Sequence, residues 1–311
     1  MFNFAINKRI MMHFTSNILM ISPEKFRANE FTMDDNVFQS RKLVDSEVSI
    51  QALEEFEKLK NTISDNGVSV YSIKDESSHD TPDAVFPNNW ISFHHKNNAV
   101  IYPMFAENRR LERLSGILKK LKKKGINIQI THDYSNFENQ NKFLEGTGSL
   151  VLNRKNNIAY CALSNRSNEE LFIKFCNDLN YSPVLFNSNY KSKPIYHTNV
   201  LMSICNNFSI ICLESIENLD EKNNLIKSLE DSELDIIDIS YAQMCSYLGN
   251  CIQLVDKELS PKLVMSTSAF KSIKSNQLSR ILKHTDIIHS DIKTIEKYGG
   301  GSARCMIAEI F

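Results

Sequence analysis

Short apolar runs, rich in Val, Ile, Leu and Phe and bounded by Asn, Gly and Lys, alternate with charged stretches along this chain, and the alternation repeats. One unit comprises residues 88–93, 99–103, 107–124 and 126–130; the next comprises 148–152, 158–163, 168–179 and 183–186. A further unit takes 198–204, 208–213, 221–229 and 234–239, and another 250–255, 262–266, 275–283 and 286–289. The opening stretch supplies 18–22, 47–66 and 68–73, and the final run 303–311 completes it, so the two chain ends are expected to meet. The short β-rich runs predict strands. The longer stretches, with mixed charge on one face, predict helices. Each unit is therefore strand, strand, helix, strand. The predicted fold class is α/β, a five-bladed α/β propeller with pseudo-fivefold ββαβ repeats, because five such units arranged radially close on an axis.

The repeat also carries a register of chemical groups. Asn89, Glu145, His197, Asn250 and Cys305 recur at steps of 56, 52, 53 and 55 residues. The first four stand just before an apolar run, and Cys305 opens the last one. Residues at one position of each unit converge on the axis, so an Asn, a Glu, a His and a Cys far apart in sequence are expected in one pocket.

Composition narrows the class of function. The chain has 311 residues, 42% of them hydrophobic, enough for a large core. We expect a flexible N-terminal extension over residues 1–16 and a single catalytic domain over 17–311. Lys+Arg 36 against Asp+Glu 37 leaves a net charge of −1, which argues against nucleic acid or an anionic membrane as partner. The basic run at 119–124 fits a solvated helix face. Seven cysteines without CxxC, with Cys161, Cys205, Cys212 and Cys251 inside apolar strands, fit a reduced cytoplasmic protein. No apolar run approaches the roughly 20 residues that span a bilayer.

Four segments interrupt the apolar pattern. Gly299-Gly-Gly-Ser-Ala-Arg-Cys305 sets a thiol four residues after a run of three glycines. Free cysteine has a pKa of about 8.5, so a nucleophilic thiolate needs positive charge or a base nearby, for which Arg304 and His197 are candidates. Tyr196-His197-Thr198-Asn199, Leu144-Glu145-Gly-Thr-Gly148 and Phe86-Pro-Asn88-Asn89-Trp90 are the other three. Taken singly, each has a plain alternative: a core cysteine, a capping histidine, a turn carboxylate, an asparagine-rich turn. Their equivalent places in the repeat argue for one site. No metal-ligand spacing and no dinucleotide or phosphate loop is present, so neither metal nor cofactor is expected.

On these segments the chain resembles the guanidino-group-modifying enzymes of the pentein superfamily, and most the citrulline-utilisation hydrolases among the amidinotransferase and arginine deiminase relatives. The resemblance runs over about 18–311. It implies Cys305 as nucleophile, His197 as general acid/base and Glu145 as the carboxylate that binds substrate and orients His197. It further implies a substrate site of Asn88, Asn89, Arg109, Arg166, Asn199 and Asn250. Arg109 in Asn108-Arg109-Arg110 and Arg166 in Ser164-Asn-Arg166-Ser match arginines that hold the substrate carboxylate. Deiminases have aspartates where this chain has Asn89 and Asn199. Two amides suit a neutral ureido group, since an amide both donates and accepts. The implied reaction is hydrolysis of citrulline to ornithine, ammonia and carbon dioxide, without a cofactor. The alternatives are an amidinotransferase or deiminase on a guanidino substrate, or a non-catalytic binding protein of the same fold.

Overall fold

The computed structural model describes residues 13–40 and 46–311. Among these, five three-stranded sheets follow one plan: the central strand pairs antiparallel on one side and parallel on the other. Ile91–His94, Asn98–Ile101 and Gln129–Asp133 make one sheet. Val151–Asn153, Ile158–Ala162 and Ser182–Phe186 make the next. Met202–Ile204, Phe208–Ile211 and Asp235–Asp238 follow, then Ile252–Val255, Pro261–Ser266 and Asp286–Ser290. In the remaining sheet, Asn17–Ser22 pairs parallel with Ser69–Lys74 and antiparallel with Ala308–Glu309, so the two ends of the chain share a sheet. The architecture is mixed α/β.

A parallel pair needs a crossover, and each sheet has a helix there: Ser46–Asp65, Ile117–Lys123, Glu169–Leu179, Leu219–Asp231 and Ser275–Ile281. Two of them start on asparagine caps. The Asn168 side chain accepts from the Leu171 N–H, and Asn218 accepts from Asp220 and Glu221. Burial then drives packing. Leu171, Phe172, Phe175 and Cys176 on one helix face pack with Leu144 and with Val100 and Tyr102 of the neighbouring unit.

Two expectations are corrected. The stretch 107–124 is not one helix. It divides into Glu107–Arg110, a 3₁₀ turn Leu111–Ser115 and Ile117–Lys123, because Gly116 takes a left-handed conformation at φ 70°. The first strands of the units also begin later than the apolar runs do. A single helical turn precedes them: Pro87–Asn89, Gly146–Ser149 and Thr198–Leu201. At the equivalent place in the last two units, the Asn250 N–H bonds to the Tyr247 carbonyl and the Cys305 N–H to that of Ser302.

Residues 1–12 of the expected extension lie outside the described residues. Thr15 and Ser16 are already tied in: the Thr15 carbonyl accepts from Val255 at 3.2 Å and that of Ser16 from Ser69 at 2.7 Å. Among the described residues, no helix is long and apolar enough to cross a membrane. The seven cysteines form no disulfide.

Candidate active site

The turns just before the first strands bring the register of chemical groups together. Asn89 ends one turn; Glu145 and His197 cap the next two. The turns touch through glycine. Gly146 sits at φ 46°, and a Cβ there would strike the Asn88 carbonyl. A Cβ on Gly148 would lie 2.5 Å from Asn89 Nδ2 and 2.7 Å from His197 Nδ1. Only glycine lets this backbone pass between the two side chains.

Asn89, Arg109, Arg166, His197 and Cys305 line one pocket, with Asp83, Phe86, Tyr196, Gly299 and Gly301. Cys305 is buried, and its Sγ receives two amide donors: Asn250 Nδ2 at 3.2 Å and Asn199 Nδ2 at 3.5 Å. Asn250 Nδ2 also donates to the Asn199 carbonyl at 2.8 Å, which locks both amides behind the sulfur. Neither is part of the pocket lining. Asn88 is fully buried and also outside that lining, with both amide atoms lacking a partner among the described residues.

Across the pocket, His197 Nε2 lies 2.8 Å from Glu145 Oε2. Glu145 Oε1 accepts from the Phe105 N–H at 2.9 Å, and Arg166 Nη1 stands 3.5 Å from Oε2. Burial alone would raise the Glu145 pKa. Arg166, the His197 bond and Arg109 together outweigh it and hold the carboxyl at about 2. Burial also depresses the His197 pKa; Glu145 pulls the other way, and the two arginines add to the depression. The pair therefore rests as carboxylate and neutral imidazole. Since the carboxylate only accepts, Nε2 carries the proton and Nδ1 the lone pair.

Both arginines are already engaged. Arg109 donates from Nε to Glu112 Oε1 at 2.8 Å, from Nη2 to Glu112 Oε2 at 3.2 Å and the Phe86 carbonyl at 3.1 Å, and from Nη1 to Asn89 Oδ1 at 2.7 Å. Arg166 donates from Nε to Asp35 Oδ2 at 2.7 Å and from Nη2 to Asp35 Oδ1, with its guanidinium 4.9 Å from the centre of the Tyr196 ring. The bond to Arg109 settles the orientation of Asn89: its oxygen must face the guanidinium, which has only donors. Its Nδ2 is buried without a partner among the described residues.

Three acidic residues at the site were not anticipated. Glu112 follows Arg109 by three residues, a helical spacing that could have flagged the pair; burial raises its pKa to about 7 against the pull of Arg109. Asp83 lines the pocket, its pKa raised by burial, its Oδ1 buried and unpartnered among the described residues. It qualifies the idea of a pocket cleared of acid by Asn89 and Asn199. Asp35 lies 131 residues from Arg166, and nothing in the chain's pattern connects them.

A thiol beside amide donors, a neutral imidazole held by a carboxylate, and two buried arginines suit nucleophilic attack coupled to proton transfer. Among the described residues, no cluster of His, Cys, Asp and Glu could hold a metal ion. Residues 22–311 match the family described as N,N dimethylarginine dimethylhydrolase, eukaryotic. No curated protein matches the chain in sequence. Among solved structures, the N-terminal domain of ArgZ, an arginine dihydrolase from the ornithine-ammonia cycle in cyanobacteria, superposes with a TM-score of 0.73 at 14% identity, covering 94% of this chain and 97% of that one. Unliganded AgrE gives 0.73 at 15% identity over 95% of this chain but only 39% of its own length. An adduct of dimethylarginine dimethylaminohydrolase with S-methyl-L-thiocitrulline gives 0.65 at 17% identity, covering 96% and 100%. At such identities these likenesses speak for the fold, while the family match spans nearly the whole chain. The chain belongs to the N,N dimethylarginine dimethylhydrolase family, within the pentein superfamily of guanidino-group-modifying enzymes.

Proposed function

We propose that this chain is a cysteine-dependent C–N hydrolase acting on the ureido group of citrulline, with residues 17–311 as one catalytic domain of five blades closed around the pocket. The carrying observation is the fixed orientation of Asn89. Its oxygen is committed to Arg109, so what this amide has left for a ligand is its N–H donors. A ureido oxygen accepts those hydrogens. A guanidinium has donors alone and would oppose them.

In this reading neutral His197 takes the Cys305 proton, and the thiolate, held by Asn199 and Asn250, attacks the ureido carbon. His197 returns the proton to the departing amine, then activates water against the carbonyl–sulfur intermediate. Glu145 keeps the imidazole oriented. Arg166 and Arg109 lie where an α-carboxylate would be neutralised. One water is consumed, and citrulline yields ornithine, ammonia and carbon dioxide. Seven cysteines without a disulfide fit a cytoplasmic setting.

Asp83 favours a second reading. Its free Oδ1 in the pocket wall would suit a cationic group, as in an arginine hydrolase or dihydrolase, the activity named for ArgZ. Separate incubation with citrulline, arginine and agmatine, measuring ammonia, ornithine and urea, decides between them. Turnover of citrulline without turnover of arginine is expected; arginine as the better substrate overturns the ureido reading.

A further inference from the structure

Residues 23–40 leave the Asn17–Ser22 strand and cross the mouth of the pocket as a strap, with Thr32 and Asn36 in its lining. The strap is fastened at both ends. Asn29 Nδ2 donates to Asp83 Oδ2 at 2.7 Å, and the Ser40 N–H donates to the Lys297 carbonyl at 2.7 Å. Phe38 lies against the Tyr190, Tyr196 and Tyr247 rings at centroid distances of 6.0, 6.2 and 6.1 Å.

Between these anchors, Asp35 takes both Nε and Nη2 of Arg166. That edge of a guanidinium is one on which an incoming carboxylate makes a fork of two parallel bonds. The third nitrogen already faces Glu145. Arg166 is buried, so the Asp35 carboxylate fills the edge of the one arginine not held by Asn89. With the strap in place, the pocket keeps a free volume of about 10 Å³. That is roughly room for one water, far short of an amino acid.

We infer that Asp35 is a tethered stand-in for the substrate's α-carboxylate: it occupies the seat on Arg166 in the resting enzyme, and substrate enters by displacing it together with the strap. This rests on the proposed reading of Arg166 as a carboxylate binder. The exchange is physically economical, because one carboxylate replaces another and the buried guanidinium is never left facing Glu145 alone. It also makes entry selective, since a ligand without a carboxylate cannot replace the ion pair that it breaks.

The test needs no turnover, so it fails separately from the choice of substrate. Cys305 is buried under the strap, whereas Cys245 is half-buried elsewhere and serves as internal reference. Alkylation, in which the thiolate displaces iodide, is followed at both cysteines by peptide mass spectrometry with iodoacetate and with iodoacetamide. Asp35→Asn is expected to speed modification of Cys305 by iodoacetate about tenfold or more, with a smaller gain for uncharged iodoacetamide, because both the seat and the strap are released. Asp34→Asn removes the same charge one residue away on an exposed side chain and is expected to change neither rate. Asp35→Ser provides a second variant, and thermal unfolding confirms that each is folded. Unchanged or slower Cys305 modification in both folded Asp35 variants overturns the inference. So does an equal gain for the two reagents, which would mean an opened strap without a vacated carboxylate seat.

Discussion

On one side of the pocket, Cys305 is held by two neutral amides; on the other, Glu145 and His197 sit among the charges of Arg166 and Arg109. The two sides solve different problems. In the proposed mechanism the sulfur gains and loses charge, and two amide donors favour its thiolate without a full opposite charge beside it. In the same mechanism the imidazole starts neutral and oriented, which an ionised carboxylate and cations that oppose a proton on the ring favour. The other cysteines show the contrast from a third direction. Burial, helped by Glu214, pushes Cys212 up to about 12, and burial pushes Cys251 to about 11 against the Ser203 hydrogen bond, so each is an inert core thiol.

Removing the sulfur breaks the comparison most severely. Cys305→Ala should lower turnover by roughly 10⁵-fold or more while leaving substrate binding measurable by calorimetry, since the arginine side is untouched. Cys212→Ala should keep its activity and lose only stability, by about 1–3 kcal/mol for an underfilled core site. Cys305→Ala activity above about a tenth of wild type would end the case for covalent catalysis.

The charged side is tested by Glu145→Gln, which keeps the shape and removes the charge. Turnover should fall by about 10²–10⁴-fold, because the imidazole loses its fixed tautomer and orientation. The same variant has a signature in stability. The Glu145 pKa of about 2 lies below its ordinary 4.5, so its contribution is complete above 4.5 and is lost as the pH falls toward 2. That contribution is about 3 kcal/mol in wild type, at 1.36 kcal/mol per unit, and should be absent in Glu145→Gln. The depressed His197 has the same sign: the unfolded chain takes up the proton first, so stability begins to fall as the pH drops through 6.5. Thermal midpoints at a series of pH values should give a shallower acid slope for the variant below 4.5. Parallel slopes would show that Glu145 is not held ionised by its neighbours.

How much of this was readable beforehand depends on whether a residue belongs to the repeat. Asn89, His197 and Cys305 fall at equivalent turns, and their spacing pointed to one pocket before any geometry was known. The boundary of the strand at Met202 was less readable because the preceding turn ends in apolar residues. Val200 and Leu201 are fully buried in a four-residue helical turn, and periodicity cannot separate so short an apolar stretch from the start of a strand. Arg109 and Arg166 came from resemblance, but their partners did not. Asp83 and Asp35 lie off the repeat, and a buried ion pair across 131 residues leaves no local signal. The broken helix at Gly116 was visible in principle, as a glycine within a helical stretch.

The smallest expected effect concerns the two asparagines, which the sequence treated alike and the structure separates. Asn89, in the pocket lining, accepts from Arg109 and leaves its Nδ2 without a partner among the described residues, whereas Asn199 stands behind the sulfur, outside that lining. In Asn89→Asp, one carboxylate oxygen keeps the Arg109 bond and the other faces the pocket as an acceptor. A ureido oxygen then meets like polarity, and a guanidinium gains a charge-assisted bond of about 1.5–3 kcal/mol. The ratio of citrulline to arginine specificity constants should therefore fall by about 10- to 100-fold. Asn199→Asp instead places negative charge against the thiolate, so it should slow every substrate in parallel and leave the ratio within a few-fold. Measured together, the two single variants and the double variant show whether the effects are independent. A ratio that moves with Asn199→Asp and not with Asn89→Asp would reverse the division of labour between the amide behind the sulfur and the amide beside Arg109.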